Sequence, residues 1–216
     1  MLKNKHKLND DLLNNYLACK DFCIKTIKAS KINLIVEGKD NIPVNGPTLI
    51  ASNHKSFFDI ILLISVIDRA MPFVAAKELN DIPILKDYIN GIKCVLIDRE
   101  ENDFNKLKEE INNIDKAITN TGLIIFPEGE CSYNKDEIKE FKKGGFMGSK
   151  KDITIVPTFI DIKKFNNIAS WYVPEGDVKI TFGEGFVPKK VINGRIMPST
   201  IAKYTKNKVL ELKNKG

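Results

Sequence analysis

Residues 48 to 59 read T-L-I-A-S-N-H-K-S-F-F-D, and this stretch decides the fold. An apolar run ends at Ala51, a polar turn follows, and a second apolar run extends from Phe57 to Ile67. The first run has the length of a buried strand and the second that of a helix. The stretch therefore predicts a strand that turns sharply into a helix, with His54 on the turn.

Outside this corner, short apolar runs alternate with helical patterns along the chain. Such an alternation predicts an α/β fold: a single domain with a mixed, mostly parallel twisted sheet flanked by helices. The predicted strands are Ile32–Glu37, Thr48–Ala51, Pro72–Ala75, Lys93–Ile97, Leu123–Phe126, Ile153–Ile160 and Val178–Phe182, and the predicted helices are Phe57–Ile67, Pro83–Ile89, Asp103–Thr119 and Ser199–Leu212.

The N-terminal segment has a different pattern. Between Leu8 and Lys28, apolar residues recur at helical spacing and polar residues fall on the other side, which predicts an amphipathic helix. We assign residues 1–31 to this helical segment and residues 32–216 to the main domain. The helix either covers the core of the domain or lies in a membrane interface with its lysines toward the headgroups.

Charge and composition restrict the function further. The net charge is +6, and it is uneven: residues 1–31 carry +4, residues 189–216 carry +7, and the body between them carries −5. Basic ends suit an anionic membrane surface, although they also simply increase solubility. The chain has no zinc-finger pattern, aromatic RNA-binding signature or basic stripe in its body, so we expect no nucleic-acid partner.

The cysteines and the apolar runs indicate the compartment. Cys19, Cys23, Cys94 and Cys131 have no paired C-x-x-C spacing and only two histidines accompany them, so neither a disulfide framework nor a metal site is predicted. No apolar run approaches the roughly 20 residues that span a bilayer, and no secretory signal is recognisable. We expect a cytoplasmic protein that associates peripherally with the membrane.

Polar residues follow three predicted strands at their carboxyl ends. Asn53 and His54 follow the second strand, Asp98 and Arg99 the fourth, and the sequence P-E-G-E the fifth. Ligands of open α/β sheets bind at this edge. The three segments are therefore expected to converge on one site, where a histidine would serve as a general base and an arginine would hold an anion.

The spacing of His54 and Asp59 supports this expectation. Residues five apart point away from each other on one helix and lie on opposite faces of one strand. Across a strand-turn-helix corner, however, the Asp59 carboxylate can accept a hydrogen bond from the His54 ring and set its tautomer. Two structural alternatives remain open, because Ser56-x-x-Asp59 also has the form of a capping box and His54 can be an ordinary turn residue.

Six short motifs lie between about residue 30 and residue 190, and each is weak alone but strong in combination. They are, in order, N-H-K-S-F-F-D with His54 and Asp59, K-E-L at Lys77, D-R at Asp98–Arg99, F-P-E-G at 126–129, F-K-K-G-G-F at 141–146, and V-P at 156–157. In this order they resemble the motifs of the glycerolipid acyltransferases, and in particular of the 1-acylglycerol-3-phosphate acyltransferases.

The resemblance implies transfer of an acyl group from acyl-CoA or acyl-carrier protein to the hydroxyl of a lysophospholipid, without a cofactor. The resemblance makes residues 32–216 an acyltransferase domain, with His54 as general base and Asp59 orienting it. Its implied substrate-binding residues are Lys77 and Arg99 for a headgroup phosphate, Glu128 and Gly129 of F-P-E-G for the glycerol portion, and Lys142 as a further cation.

One departure from the family pattern leaves the acceptor open. The family usually continues F-P-E-G with Thr-Arg-Ser, whereas Glu130-Cys131-Ser132 follow here, so the expected arginine is a cysteine. A cation for phosphate is lost, and Lys142 or Lys143 would have to compensate. The acceptor is then either 1-acylglycerol-3-phosphate, giving phosphatidic acid, or another lysolipid or hydroxylated lipid.

Cys131 also motivates a different mechanism. Gly129-x-Cys131 after a strand is half of a nucleophile elbow, and His54 could activate the thiol for a hydrolase or acyl-enzyme reaction. Tyr133 occupies the position of the second glycine, which argues against it. A catalytically silent lipid-binding module is the remaining alternative, and the presence of His54 and Asp59 disfavours it.

Overall fold

The computed structural model describes residues 10–30, 32–98, 103–133, 136–147, 152–168 and 171–215. Helices and strands alternate along these residues, as the sequence predicts. The helices are α1 (Asp10–Ala29), α2 (Phe58–Val66), α3 (Pro83–Gly91), α4 (Phe104–Asn120), α5 (Pro188–Val191) and α6 (Pro198–Lys215). The strands are β1 (Asn33–Glu37), β2 (Thr48–Ser52), β3 (Val74–Ala76), β4 (Val95–Ile97), β5 (Leu123–Ile125), β6 (Thr154–Ile168) and β7 (Trp171–Phe182).

Five of the strands form one sheet in the order β1-β7-β6-β2-β5. All neighbours run parallel except β6 and β7, which are antiparallel. The predicted α/β fold with a mostly parallel sheet is therefore confirmed. Strands β3 and β4 form a separate parallel pair, which a single bridge between Phe73 and Ile124 connects to β5.

The β6–β7 hairpin is much longer than predicted. The predicted strands end at Ile160 and begin again at Val178, whereas pairing continues outward as far as Ile168 and Trp171. Asp177 still pairs with Asn33 of β1, and outward from it the two strands pair with each other. Lys164 and Glu175 form a cross-strand ion pair at 2.9 Å there. Polar and charged residues interrupt the sequence of this ribbon, so no apolar run marked it as a strand.

Strand β2 lies at the centre of the core, with all five residues buried. Alternate side chains point to opposite faces, as the pleat of a strand requires: Ile50 belongs to a cluster with α1 and α2, and Leu49 and Ala51 belong to one with α4 and α6. The corner that carries His54 thus begins from a strand that is buried along its whole length.

Helix α1 covers part of this core. Tyr16, Cys19 and Cys23 are buried in the α2 cluster, and the Tyr16 hydroxyl donates to the Met71 carbonyl at 3.2 Å. The predicted stripe therefore faces the domain; its first residue, Leu8, lies outside the described residues. The opposite side of α1 exposes Leu17 and Phe22, each 43% accessible. Within the described residues, no helix combines the length and hydrophobicity that a bilayer crossing requires.

Candidate active site

Asn53 anchors the turn that follows β2. Its side chain is buried, with the amide nitrogen donating to the Ile160 carbonyl at 2.9 Å and the amide oxygen accepting from the Ile160 N–H at 2.7 Å. These two bonds extend the β2–β6 ladder by one position after β2 has ended. The backbone is therefore fixed immediately before His54.

His54 and Asp59 meet across the corner, as their spacing predicts. His54 Nδ1 lies 2.8 Å from Asp59 Oδ2, and the same oxygen accepts from the backbone N–H groups of Lys55 at 2.6 Å and Ser56 at 3.0 Å. Asp59 is fully buried. The carboxylate thus orients the ring and also satisfies backbone donors at the helix start. An ionised carboxylate only accepts, so Nδ1 carries a proton and Nε2 is the basic nitrogen of the neutral ring.

The other nitrogen of His54 faces Cys131. Nε2 lies 3.3 Å from Cys131 Sγ, and the ring stacks on Phe126 with 4.2 Å between the ring centroids. The side chain of His54 is 17% exposed. Burial alone would lower the pKa of His54, but its hydrogen bonds with Asp59 and Cys131 raise that pKa to about 9. The neutral ring, which is the form that can accept a proton, is therefore the minor form at neutral pH and becomes more abundant as pH rises toward 9.

Glu128 holds the same turn through a hydrogen bond to its backbone. One carboxylate oxygen accepts from the His54 backbone N–H at 2.8 Å, the other accepts from the Lys139 N–H at 2.9 Å, and the residue is 1% exposed. Burial raises the pKa of Glu128, and the two backbone hydrogen bonds oppose this effect. The predicted contact with the acceptor's glycerol portion stays a prediction, but this geometry favours a positioning role for the carboxylate.

We expect the Glu128→Gln variant to lose about 10- to 100-fold in kcat. The glutamine side chain has one oxygen that can still accept, but its NH₂ group would face the second of the two backbone N–H groups, those of His54 and Lys139. Losing a hydrogen bond to a charged group costs about 1.5–3 kcal/mol, which corresponds to this loss of rate. The measurement is kcat beside a thermal unfolding curve. Glu140→Gln is the matched control, because Glu140 is 85% exposed and pairs with Lys206. Equal activity of both variants would contradict the positioning role.

An apolar cavity of about 390 Å³ opens beside His54. Segments that follow β2, β4 and β5 all contribute to it, through His54, Asp98 and Gly129, so the expected convergence of three strand ends is confirmed. Its walls are mainly the apolar side chains of Phe57, Ile60, Phe73, Leu107, Ile111, Ile114, Ile125 and Met147. The arrangement places His54 in the wall of a space suited to a hydrocarbon chain.

Other predicted site residues lie in or near this wall. Lys142 lines the cavity, and its ammonium lies 3.0 Å from the point where a β-carbon on Gly129 would stand. Gly129 adopts a left-handed conformation with φ of 77°, so both space and backbone favour glycine. Lys77 is 67% exposed and its ammonium lies 3.5 Å from Asp98, at the rim. Arg99 lies outside the described residues.

Sequence reasoning assigned no role to two residues that hold the site together, although it placed one of them, Asn53, at the end of β2. Ser132 donates to the His54 carbonyl twice, from its backbone N–H at 2.8 Å and from its hydroxyl at 3.0 Å. Asn53 is the other, through its bonds to Ile160. Asn53 was recognisable as a polar residue directly after a buried run, whereas the partner of Ser132 is distant in sequence and gave no signal.

The chain is similar in sequence to known acyltransferases. The profile of the Acyltransferase family matches residues 33–161. A 1-acyl-sn-glycerol-3-phosphate acyltransferase of Helicobacter pylori (strain J99) is 30% identical over 162 residues, covering 71% of this chain and 65% of that enzyme. Human lysophosphatidylcholine acyltransferase 2 is 31% identical over 116 residues, covering 52% of this chain and only 20% of that protein.

A solved structure resembles the fold as a whole. The crystal structure of the 1-acyl-sn-glycerophosphate acyltransferase PlsC from Thermotoga maritima superposes with a TM-score of 0.71 at 25% sequence identity. The match covers 92% of this chain and 79% of that one. Since the family profile spans well over half of the residues, including the whole His54–Asp59 corner and the Phe126–Cys131 segment, the chain belongs to the Acyltransferase family.

Proposed function

We propose that the protein transfers a fatty acyl group from an acyl thioester to the hydroxyl of a lysophospholipid. The observation that carries this proposal is the His54–Asp59 pair, with 2.8 Å between Nδ1 and Oδ2, whose histidine lines an apolar cavity of about 390 Å³. A base beside a hydrocarbon-sized space suits a reaction between a hydroxyl and an acyl carbonyl.

In this mechanism His54 acts as general base. Its Nε2 takes the proton of the acceptor hydroxyl while the hydroxyl oxygen attacks the thioester carbonyl, and the resulting imidazolium is stabilised by Asp59. The tetrahedral intermediate then expels the thiolate, which takes the proton from His54. Positioned bases of this kind contribute about 10²- to 10⁴-fold to a rate. The residues of this chain need no cofactor for these steps.

The cavity and the surrounding cations would bind the two substrates. The apolar walls would hold a hydrocarbon chain, which gains about 0.8 kcal/mol for each methylene removed from water. Lys142, which lines the cavity, and Lys77, which pairs with the lining residue Asp98, would bind the acceptor's anionic headgroup, together with Arg99 from its place in the family motif. The positions and charges of the two lysines support these roles.

Two acceptor classes fit this site differently. The family resemblance favours 1-acylglycerol-3-phosphate, whose phosphate monoester would use the cations named above. Cys131 in place of the expected arginine favours an acceptor of lower charge, because one cation for a phosphate is missing and the neighbouring Glu130 is negatively charged. The Glu130 carboxylate lies 3.0 Å from the Lys139 ammonium. The relatives include enzymes named for acylglycerol phosphate and for lysophosphatidylcholine.

An acyl-transfer assay tests the proposal. Purified protein is given acyl-CoA or acyl-carrier protein against 1-acylglycerol-3-phosphate and lysophosphatidylcholine, with and without anionic vesicles. We expect transfer to at least one acceptor, and the preferred acceptor assigns the headgroup class. Vesicle binding without transfer from either donor to either acceptor would instead identify a silent lipid-binding module.

We further propose that the protein works at the cytoplasmic surface of a membrane, where lysophospholipids reside. The exposed Leu17 and Phe22 of α1 and the basic charge of both termini support this proposal. Anionic headgroups attract each nearby Lys or Arg by about 1 kcal/mol. Faster transfer on anionic than on neutral vesicles is the expected result, and 0.5 M salt is expected to abolish the difference.

Filling the cavity should shorten the accepted acyl chain. Ile114 is 4% exposed and lines the cavity, so Ile114→Phe would exclude the last few methylenes of a long chain. At about 0.8 kcal/mol for each of two to four methylenes, kcat/KM for long donors should fall about 10- to 200-fold relative to short donors. Ile196→Phe, in the same core cluster but outside the cavity lining, is the control. An unchanged chain-length profile in Ile114→Phe would place the acyl chain elsewhere.

A further inference from the structure

The cavity beside His54 lies between two sheets. His54 follows β2 of the five-stranded sheet. Asp98, which also lines the cavity, directly follows β4 of the two-stranded sheet, and Lys77 directly follows β3 of that sheet. The proposed base therefore belongs to one sheet and a proposed headgroup cation to the other, so the distance between them depends on what holds the small sheet in place.

Helix α4 connects the two sheets. It lies between β4 and β5 in the chain, and it contacts β4 of the small sheet as well as β2 and β5 of the large one. Its side chains Leu107, Ile111 and Ile114 line the cavity at the spacing of one helix face. Glu110 lies on this face and also lines the cavity, whereas the neighbouring Glu109 is exposed. A partly buried carboxylate on an otherwise apolar face is costly unless it is hydrogen-bonded.

The hydrogen-bond partner of Glu110 is the backbone of Asp98. Glu110 Oε1 accepts from the Asp98 N–H at 2.8 Å. The ladder between β3 and β4 ends at the pair of Ala76 and Ile97, so the N–H of the next residue needs an acceptor from elsewhere. Helix α4 supplies that acceptor. The carboxyl end of the small sheet is thereby fixed to a helix that also contacts the large sheet.

This bond has a counterpart on the other side of the cavity. The His54 N–H donates to Glu128 at 2.8 Å, the same distance as between Asp98 and Glu110. Each bond joins a glutamate to the backbone of a site residue just beyond the end of a strand. One bond fixes the turn of the proposed base. The other fixes the end of the sheet that carries Lys77, whose ammonium lies 3.5 Å from Asp98 Oδ2.

We propose that Glu110 is a positioning residue for the acceptor. It fixes the carboxyl end of the β3–β4 pair and so sets the distance between Lys77, which would bind the headgroup phosphate, and His54, which would deprotonate the hydroxyl. Glu110 acts through the Asp98 backbone and makes no contact with the reacting atoms. This inference rests on the proposed acyltransferase function, and it adds a residue that lies outside the six sequence motifs.

The chemistry of the acceptor explains why this distance matters. In a lysophospholipid the phosphate and the free hydroxyl are joined by the short glycerol backbone. The phosphate can bind a cation of the small sheet while the hydroxyl reaches Nε2 of His54 only if the two side chains have a matching separation. A misplacement of about 1 Å can cost about 10²-fold in rate. The acyl donor does not span this distance, so loss of the Glu110 bond should impair use of the acceptor selectively.

Steady-state kinetics of Glu110→Ala test the inference, with decanoyl-CoA as donor and either 1-acylglycerol-3-phosphate or lysophosphatidylcholine as acceptor. We expect kcat/KM for the acceptor to fall about 10- to 100-fold, through KM more than kcat, while KM for decanoyl-CoA stays within about twofold of wild type. Glu109→Ala is the matched control, because Glu109 is the adjacent carboxylate on the same helix and is exposed. Both kinetic constants should be unchanged in this control.

Two further variants separate positioning from a general structural effect. Glu110→Gln should restore the acceptor KM to within about threefold of wild type, because the bond to the Asp98 N–H needs only one accepting oxygen and glutamine retains one. In a Lys77→Ala background, Glu110→Ala should cost less than about threefold, because the cation that it would displace is already absent. Thermal unfolding curves show which variants are folded. If Glu110→Ala does not fold, Glu110→Asp, whose carboxylate is one methylene shorter, should give the same loss.

Three results would overturn the proposal. They are an unchanged acceptor KM in folded Glu110→Ala, an equal rise in KM for decanoyl-CoA, and the full loss repeated in the Lys77→Ala background. Each of them is obtained with an active wild type and leaves the proposed function intact. A wild type that acylates neither acceptor, from decanoyl-CoA or from decanoyl-acyl-carrier protein, would instead refute the function itself.

Discussion

Replacement of His54 by alanine is expected to reduce kcat about 10²- to 10⁴-fold, the contribution typical of a positioned base. The variant removes the nitrogen that faces the reacting atoms, whereas the supports of the turn remain. Asn53 still pairs with Ile160, and Glu128 still accepts from the backbone N–H of residue 54. The expected loss is therefore in chemistry rather than in folding.

The measurement is acyl transfer under saturating donor and acceptor, beside a thermal unfolding curve for each protein. His6→Ala is the matched control, because His6 is the only other histidine in the chain. Binding of a non-reactive lysophospholipid analogue should be nearly unchanged in His54→Ala, since the base makes no large contribution to the apolar cavity. Acyl transfer by His54→Ala at the wild-type rate would remove His54 from the mechanism.

The corner around His54 was predictable because its signals are local. A buried run, a polar turn and a second apolar run over 20 residues determine a strand, a turn and a helix, and the five-residue interval then permits contact between His54 and Asp59 only across that turn. The convergence of three strand ends was predictable for a related reason, because parallel strands present their carboxyl ends at one edge of the sheet.

Contacts between distant segments were not predictable. Arg69 is 1% exposed and donates to the carbonyls of Pro43, Gly46 and Thr121, and no sequence pattern marks these acceptors. The backbone partners of Glu128 were not predictable for the same reason, because they are N–H groups, which every residue except proline provides. The identity of a side chain thus indicates which reactions it can take part in, but it does not indicate which backbone groups the side chain will bind.

Substitution of Asp59 by asparagine is expected to reduce kcat about 100-fold while the fold is retained. All three hydrogen bonds of the Asp59 carboxylate go to Oδ2, and Oδ1 has no hydrogen-bond partner among the described residues. The asparagine oxygen can therefore replace Oδ2, and its NH₂ group can stand where Oδ1 was. The variant removes the negative charge and keeps the geometry, and weakening a charge-assisted hydrogen bond by about 1.5–3 kcal/mol corresponds to this loss.

The same substitution should change how His54 titrates, and NMR of the ring protons measures this directly. Burial lowers the pKa of His54 while Asp59 and Cys131 raise it from its ordinary value of 6.5 to about 9, so without the Asp59 charge the ring should titrate at lower pH. Because folding raises the pKa of His54, the protonated ring stabilises the folded state fully at pH values below its unfolded pKa of about 6.5. This stabilisation is lost as pH rises through the folded pKa of about 9. The stability difference between wild type and Asp59→Asn should therefore be larger at pH 6 than at pH 9.

A control variant separates this effect from the general cost of losing a carboxylate. Asp68 is another carboxylate in ion pairs, with Lys20 at 3.4 Å and Lys39 at 2.7 Å, and it does not line the cavity. Asp68→Asn should leave both kcat and the His54 titration unchanged. If Asp59→Asn kept the wild-type rate and the wild-type His54 pKa, the carboxylate would serve only to cap the helix, because a cap needs the oxygen that asparagine retains and orientation of an imidazolium needs the charge that it lacks.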